Sequence, residues 1–263
     1  ALRAYGRWSE WPRSLHAQAI NNLIEAGARV IAFDIVFAES SPDDQILAAA
    51  MRKANNVILA AAGTKRLPST GEVTFDDFLL PTAPLQEAAN SLGHANVLPD
   101  PDGKVRRLPL LVQDAGTGQT YPAFTLAALH SLFRMPLPKE YVVENGKLNL
   151  LARDIPVDSS YSLRISFARN ESWAYLSYGD IISGDFDTST VKNKIVLVGM
   201  TATGEPDTWA IPTSASKVSG ALIHAAAMDT ILRQRFLIQP GMDITLMTVS
   251  YTHLRAHETG RNL

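Results

Sequence analysis

The chain has 263 residues, 46% of them hydrophobic, enough for one large domain or two modest ones. Its 24 Lys and Arg nearly balance 26 Asp and Glu, for a net charge of -2, so neither a basic stripe for nucleic acid nor an acidic tail stands out. It has no cysteine, which excludes disulfides, thiolate nucleophiles and zinc ribbons and leaves the compartment open.

Pro12 opens a predicted helix with Leu15, Ala19, Ile20, Leu23 and Ile24 on one side, and Gly27 is placed to end it with positive φ. Residues 30–37 read as a buried strand interrupted only by Asp34. Ser41 and Pro42 read as cap and first residue of a second helix. Asp43 and Asp44 suit its positive end, and Ile46, Leu47, Ala50 and Met51 supply its apolar stripe. A strand is expected over 57–61, an exposed loop over 64–80 and a short helix over 84–90.

Residues 93–98 and 104–112 flank Asp100-Pro101-Asp102-Gly103, a turn that predicts a hairpin. A helix over 121–134 starts at Pro122 and is stopped by Pro136 and Pro138. Tyr161, Leu163, Ile165 and Phe167 alternate as a half-exposed strand would. Ser177 caps a short helix ending at Gly184. Residues 195–198 are apolar without alternation, which suits a strand covered on both faces, and Gly199 lets the chain leave the sheet. A last helix spans about 220–233.

The ends read differently. The chain opens at Ala1 without Met, signal peptide or membrane segment. An apolar run beginning at Ile244 is cut off far short of the about 20 residues a membrane helix needs. Residues 250–263 resemble a translated cloning artefact; they contain His253 and His257 at helical metal-ligand spacing, without a third ligand nearby. The expected division is one domain over 1–240, a truncated membrane helix over 241–249 and a foreign tail over 250–263. Alternating helices and buried-type strands argue for an α/β fold, a three-layer sandwich whose mixed, mostly parallel sheet carries helices on both faces, with the Asp102 hairpin as its antiparallel part.

Motifs for chemistry are sparse. Gly199 to Gly204 has the glycine spacing of a phosphate loop, but Glu205 and Pro206 stand where Lys and Ser or Thr should follow. Ser214-Ala-Ser-Lys217 matches S-x-x-K, without the S-D-N or K-T-G elements that accompany it in penicillin-recognising enzymes. Asp100 and Asp102 open like a calcium loop, yet the twelfth position is Leu111 rather than Glu. His16, His94 and His224 lie apart and read as hydrogen-bonded structural histidines. Trp8 and Trp11 read as a hydrophobic staple or, alternatively, an aromatic ligand platform. Asp34 weighs equally as functional acid and structural anchor, because a buried carboxylate is costly unless partnered.

Several segments together resemble one family. They are Tyr5-Gly-Arg-Trp8, Trp11-Pro-Arg13 with His16-Ala17, residues 26–37, Gly93-His-Ala-Asn96, residues 100–107 with Pro109, Tyr121-Pro122, residues 194–204, Asp207 and Gly220-Ala-Leu-Ile-His-Ala225. In order and spacing they are similar to the type-two CHASE domain, a sensory extracellular domain associated with cyclases and histidine kinases. The resemblance covers about residues 1–240. It implies an extracytoplasmic (periplasmic or cell-surface) input domain of a bacterial membrane receptor, with membrane helices on either side, an adenylyl or diguanylate cyclase or kinase output, and a homodimeric whole. It also implies a strand and an acidic segment before Tyr5, of which only Leu2 remains, so a raw sheet edge is expected.

The family assigns no binding residues, so the expected site rests on the rule that ligands of open α/β sheets sit outside the carboxyl ends of the strands. That rule selects Asp34, Thr201, Thr203 and Asp207 for a small polar ligand, an ion or a partner domain. No catalytic residue, cofactor, resident metal or nucleic-acid partner is expected. The rival readings are a small α/β hydrolase or transferase, which would need His224 or His16 beside Ser214 or Thr201, and a purely structural dimerisation module.

Overall fold

A computed structural model describes residues 11–150, 153–167, 173–201 and 207–237. The strands, in chain order, are β1 (Val30–Phe33), β2 (Val57–Leu67), β3 (Val73–Leu79), β4 (Ser91–His94), β5 (Arg107–Pro109), β6 (Leu111–Asp114) and β7 (Thr120–Pro122). They continue with β8 (Val143–Glu144), β9 (Lys147–Leu150), β10 (Arg153–Pro156), β11 (Ser162–Arg164), β12 (Ile195–Val198), β13 (Thr208–Trp209) and β14 (Val218–Ser219). The α-helices are α1 (Arg13–Glu25), α2 (Asp44–Ala54), α3 (Ala83–Ala88), α4 (Phe124–Leu132), α5 (Tyr178–Ser183) and α6 (Gly220–Leu232).

Among the described residues, seven strands form the main sheet, in the order β12-β1-β2-β3-β6-β7 with β4 also on β2. β12, β1, β2 and β4 run parallel to one another. On one face α1, α2, α3 and α5 cover Ile31, Phe33 and Leu59. On the other α4 and α6 cover Val30, Ala32 and Ile58. The fold is thus α/β, with helices on both faces of a mixed sheet whose core is mostly parallel.

The antiparallel part arises elsewhere than the sequence suggests. The turn at Asp100 forms, with the Gly103 amide donating to the Asp100 carbonyl at 2.8 Å, but its flanks do not pair. β4 joins β2 in parallel, and β5 pairs with β11. Residues 64–80, expected as a loop, instead extend β2 and return as β3, antiparallel from Ala62↔Leu79 to Leu67↔Thr74. Val73, Phe75 and Phe78 are buried there, a partial period-2 signal hidden among charged residues.

Other boundaries shift for local reasons. β1 ends at Phe33, so Asp34 terminates the strand rather than interrupting it. Ser41 starts a turn, accepting from the Asp44 amide at 3.1 Å, and the second helix begins only at Asp44. Ile46, expected on its apolar stripe, is 51% exposed. Tyr121 and Pro122 belong to β7, and the helix after them begins at Phe124. The small sheet of β8, β9 and β10 was not foreseen. The helix Tyr178–Ser183, closed by Gly184 at φ 79°, and the helix from Gly220 stand as expected.

Candidate functional site

The parallel strands deliver two aspartates to one place. Asp34 follows β1, and its amide donates to the Val198 carbonyl at 2.8 Å, locking it beside the end of β12. Gly199 comes next. A Cβ there would lie 2.7 Å from Ala221 Cβ, 3.4 Å from Asp34 Cβ and 3.6 Å from Asp34 Oδ2. Glycine is needed here for space: the start of α6 and Asp34 close over the chain.

Asp207 arrives from the other direction, just before β13. β13 pairs with β14, which runs directly into α6. The Asp207 carboxylate accepts from the Gly220 amide at 3.1 Å and from Trp209 Nε1 at 2.6 Å. It therefore caps the positive end of α6. A Cβ on Gly220 would fall 2.3 Å from Asp207 Oδ2, so only glycine admits this carboxylate.

The two acids feel each other. Asp34 is pushed up to about 7, first by burial and then by the like charge of Asp207. Among the described residues its carboxylate has no hydrogen-bond partner, whereas that of Asp207 has two. Thr201 is exposed at the same edge. Thr203 lies outside the described residues, as do Gly204 to Pro206 of the phosphate-loop pattern.

Behind Asp207 stand two buried histidines that the sequence left unconnected. His224, on α6, lies 3.3 Å from Thr125 Oγ1 through Nδ1 and 3.3 Å from the Ala95 carbonyl through Nε2. Burial lowers it to about 4, against the pull of that carbonyl and of Asp207. His94, fully buried on β4, is lowered to about 3 by burial and by His224. The i+3/i+4 pattern of α6 places His224 inward, but nothing local in the sequence shows that β4 brings His94 to it.

The other candidates resolve into structure. Ser214 Oγ donates to the Ser216 carbonyl within an exposed turn. Asp100 and Asp102 pair with Arg106 at 3.0 and 2.7 Å, so arginine occupies the supposed calcium loop. His16 meets the Tyr178 hydroxyl at 2.9 Å, and Trp11 stacks on Tyr178 at 6.1 Å between centroids, buried rather than offered as a platform. Trp8, His253 and His257 lie outside the described residues. Among the described residues no group of three or more acidic, His or Cys side chains could hold a metal, and no helix is long and apolar enough to cross a membrane.

Residues 1–252 match the family model of the CHASE2 domain. The chain belongs to the CHASE2 domain family. CHASE2 domains are sensory extracellular domains rather than catalytic ones. No curated protein and no solved structure matches the chain. In this CHASE2 domain the parallel strands, the two aspartates and the first turn of α6 converge at the carboxyl edge of the sheet, where open α/β folds hold their ligands.

Proposed function

We propose that this CHASE2 domain is the extracytoplasmic input of a bacterial transmembrane receptor, sensing a small polar or cationic ligand at Asp34, Thr201, Thr203 and Asp207. Membrane helices would flank it, a cyclase or kinase would form the output, and the receptor would work as a homodimer. The observation that carries the site is the Asp34 carboxylate, which faces Asp207 without a hydrogen-bond partner among the described residues. A group left without its bonds in a half-buried crevice gains most from a ligand that supplies a charge or a donor.

Transmission follows from the second aspartate. Asp207 holds the first amide of α6, and α6 ends at Leu232, close to where the chain would leave the domain. A ligand drawn between the two acids competes for the Asp207 carboxylate and so biases the position of α6. It acts as a signal only if it binds one arrangement more tightly than the other.

The hydrolase reading finds less support. Among the described residues, neither Ser214 nor Thr201 has a hydrogen bond to a histidine, and His224 is held by Thr125 and Ala95.

The test is a thermal-shift screen of amines, amino acids and divalent cations on the wild type, Asp34→Asn and Thr201→Val. A binder at 100 times its dissociation constant adds about 2.7 kcal/mol. The reading expects that gain to vanish in Asp34→Asn. A binder that stabilises Asp34→Asn as much as the wild type would refute the site.

A further inference from the structure

The parallel strands have a second edge, at their amino ends. A polar or cationic residue stands just before each: Arg29 before β1, Asn56 before β2, Asn90 before β4 and Asn193 two residues before β12. These strands run side by side in one direction, so residues far apart in the chain come to one place. They line a crevice of about 730 Å³ that is open to the surface, a volume ordinary for a small-molecule site. The ends of α1, α2 and α4 border it through Gly27, Ala54 and Arg134. Asp34 and Asp207 lie at the other end of the strands.

The crevice is positive. No aspartate or glutamate lines it, and two arginines do. Arg29 is anchored: its Nε and Nη2 donate to the Leu132 carbonyl at 3.3 and 3.1 Å. A carbonyl holds the guanidinium in place without neutralising it. Arg134, at φ 57° just past α4, is exposed. Among the described residues neither arginine forms an ion pair. The helix ends do not account for this charge, because their carbonyls are already bonded. Ile24 accepts from the Gly27 amide, Asn55 from Asn90 Nδ2 and Leu132 from Arg29.

Neutral polar groups complete the lining. Asn56 Nδ2 donates to the Ala28 and Arg29 carbonyls at 3.1 and 3.2 Å, which fixes the amide and leaves its Oδ1 buried with no partner among the described residues. Ser91 Oγ is likewise buried and unbonded. Each such group costs about 1–3 kcal/mol and calls for an explanation. Asn55 and Asn193, at φ 52° and 59°, are explained by the left-handed backbone alone. The Asn56 oxygen, the Ser91 hydroxyl and the Arg134 guanidinium are not.

We infer that the amino edge of the sheet is a second binding site, for a small hydroxylated anion: a polyol carrying a carboxylate or a phosphate. Arg29 and Arg134 take the anionic group. Asn56 Oδ1 and Ser91 Oγ take the hydroxyls, which satisfies the two buried groups. The site is independent of the aspartate crevice, whose acids favour the opposite charge.

The experiment titrates the 263-residue chain with gluconate, sorbitol phosphate and sorbitol at constant ionic strength, and follows the Asn56 side-chain amide and the Arg29 Nε–H by NMR. Gluconate, sorbitol phosphate or both should shift these signals, and sorbitol should not. Which anion binds separates a carboxylate ligand from a phosphate. Arg134→Gln should weaken binding about tenfold, the loss of one charged hydrogen bond. Ser91→Ala should weaken it about fivefold with stability unchanged or slightly raised, since it deletes a hydroxyl that has no bond within the protein. Asp34→Asn should bind as the wild type does. The site is overturned if neither anion moves the two signals, if sorbitol binds as tightly as the anions, or if either Arg134→Gln or Ser91→Ala binds like the wild type. Signals that move in the wild type but not in Asp34→Asn would put the anion in the aspartate crevice and overturn it as well.

Discussion

Two aspartates ten residues apart have opposite surroundings. Asp44, at the start of α2, is buried and saturated: Arg13 of α1 forms an ion pair with it, and Thr82 Oγ1 donates to it at 2.9 Å. Arg13 is itself held by the Glu39 carbonyl and lies over the Phe37 ring at 5.2 Å. Asp34, ten residues earlier, has a like charge for a neighbour and no hydrogen-bond partner among the described residues. A carboxylate whose bonds are all made within the protein fastens elements together. One whose bonds are unmade holds interaction capacity in reserve.

The largest effect should come from breaking the saturated pair. Arg13→Ala leaves Asp44 buried with its charge uncompensated and should cost about 3–5 kcal/mol by chemical denaturation. A loss below about 1 kcal/mol would show the pair to be no more than a surface bridge and would erase the contrast.

Asp34→Asn should move stability the other way. Its folded pKa of about 7 lies above the unfolded value of roughly 3.9, so its contribution is fully present below about pH 4 and is lost as pH rises through 7. At pH 8 the wild type keeps a charge that burial and Asp207 disfavour, and the asparagine variant should be more stable by about 2 kcal/mol. At pH 4 the two should nearly coincide. His16, His94 and His224, all lowered by burial, lose stability as pH falls from about 6.5 toward their folded values, in both proteins alike. The difference between wild type and variant therefore isolates Asp34. A difference that does not change with pH would mean that Asp34 does not titrate in this range.

The smaller effects sharpen the comparison. Gly220→Ala drives a methyl group into the Asp207 carboxylate and should cost about 2 kcal/mol while weakening any ligand response, because the cap on α6 is displaced. Thr82→Val removes one of the two Asp44 partners and should cost about 1 kcal/mol with no effect on ligand response. A ligand response lost in Thr82→Val would join the two regions into one functional unit.

Local chemistry made much of this legible. The Pro12, Ser177 and Gly220 helix starts, the Gly27 and Gly184 stops and the apolar runs at residues 30–33, 57–61 and 195–198 can be read one at a time, because caps, φ preferences and burial patterns act within a few residues. The β2–β3 hairpin escaped because Lys65, Arg66, Asp76 and Asp77 mask the period-2 burial of Val73 and Phe75. The Asp100 turn was readable, but not the partners of its flanks, since a turn fixes direction and not pairing. Asp34 stood out as an acid against an apolar run, and Asp207 as an acid after a strand exit.

Most helices, the buried parallel strands, the α/β sandwich class and the family were legible along the chain, because they depend on propensity and pattern over short stretches. Long-range packing settled that, among the described residues, Asp44 is paired and the Asp34 carboxylate has no hydrogen-bond partner, that Asp207 caps α6 and that His224 bears electrostatically on His94. Each of those facts joins residues far apart in the chain. Which distant groups meet is settled by how strands order themselves in the sheet and how helices pack across it.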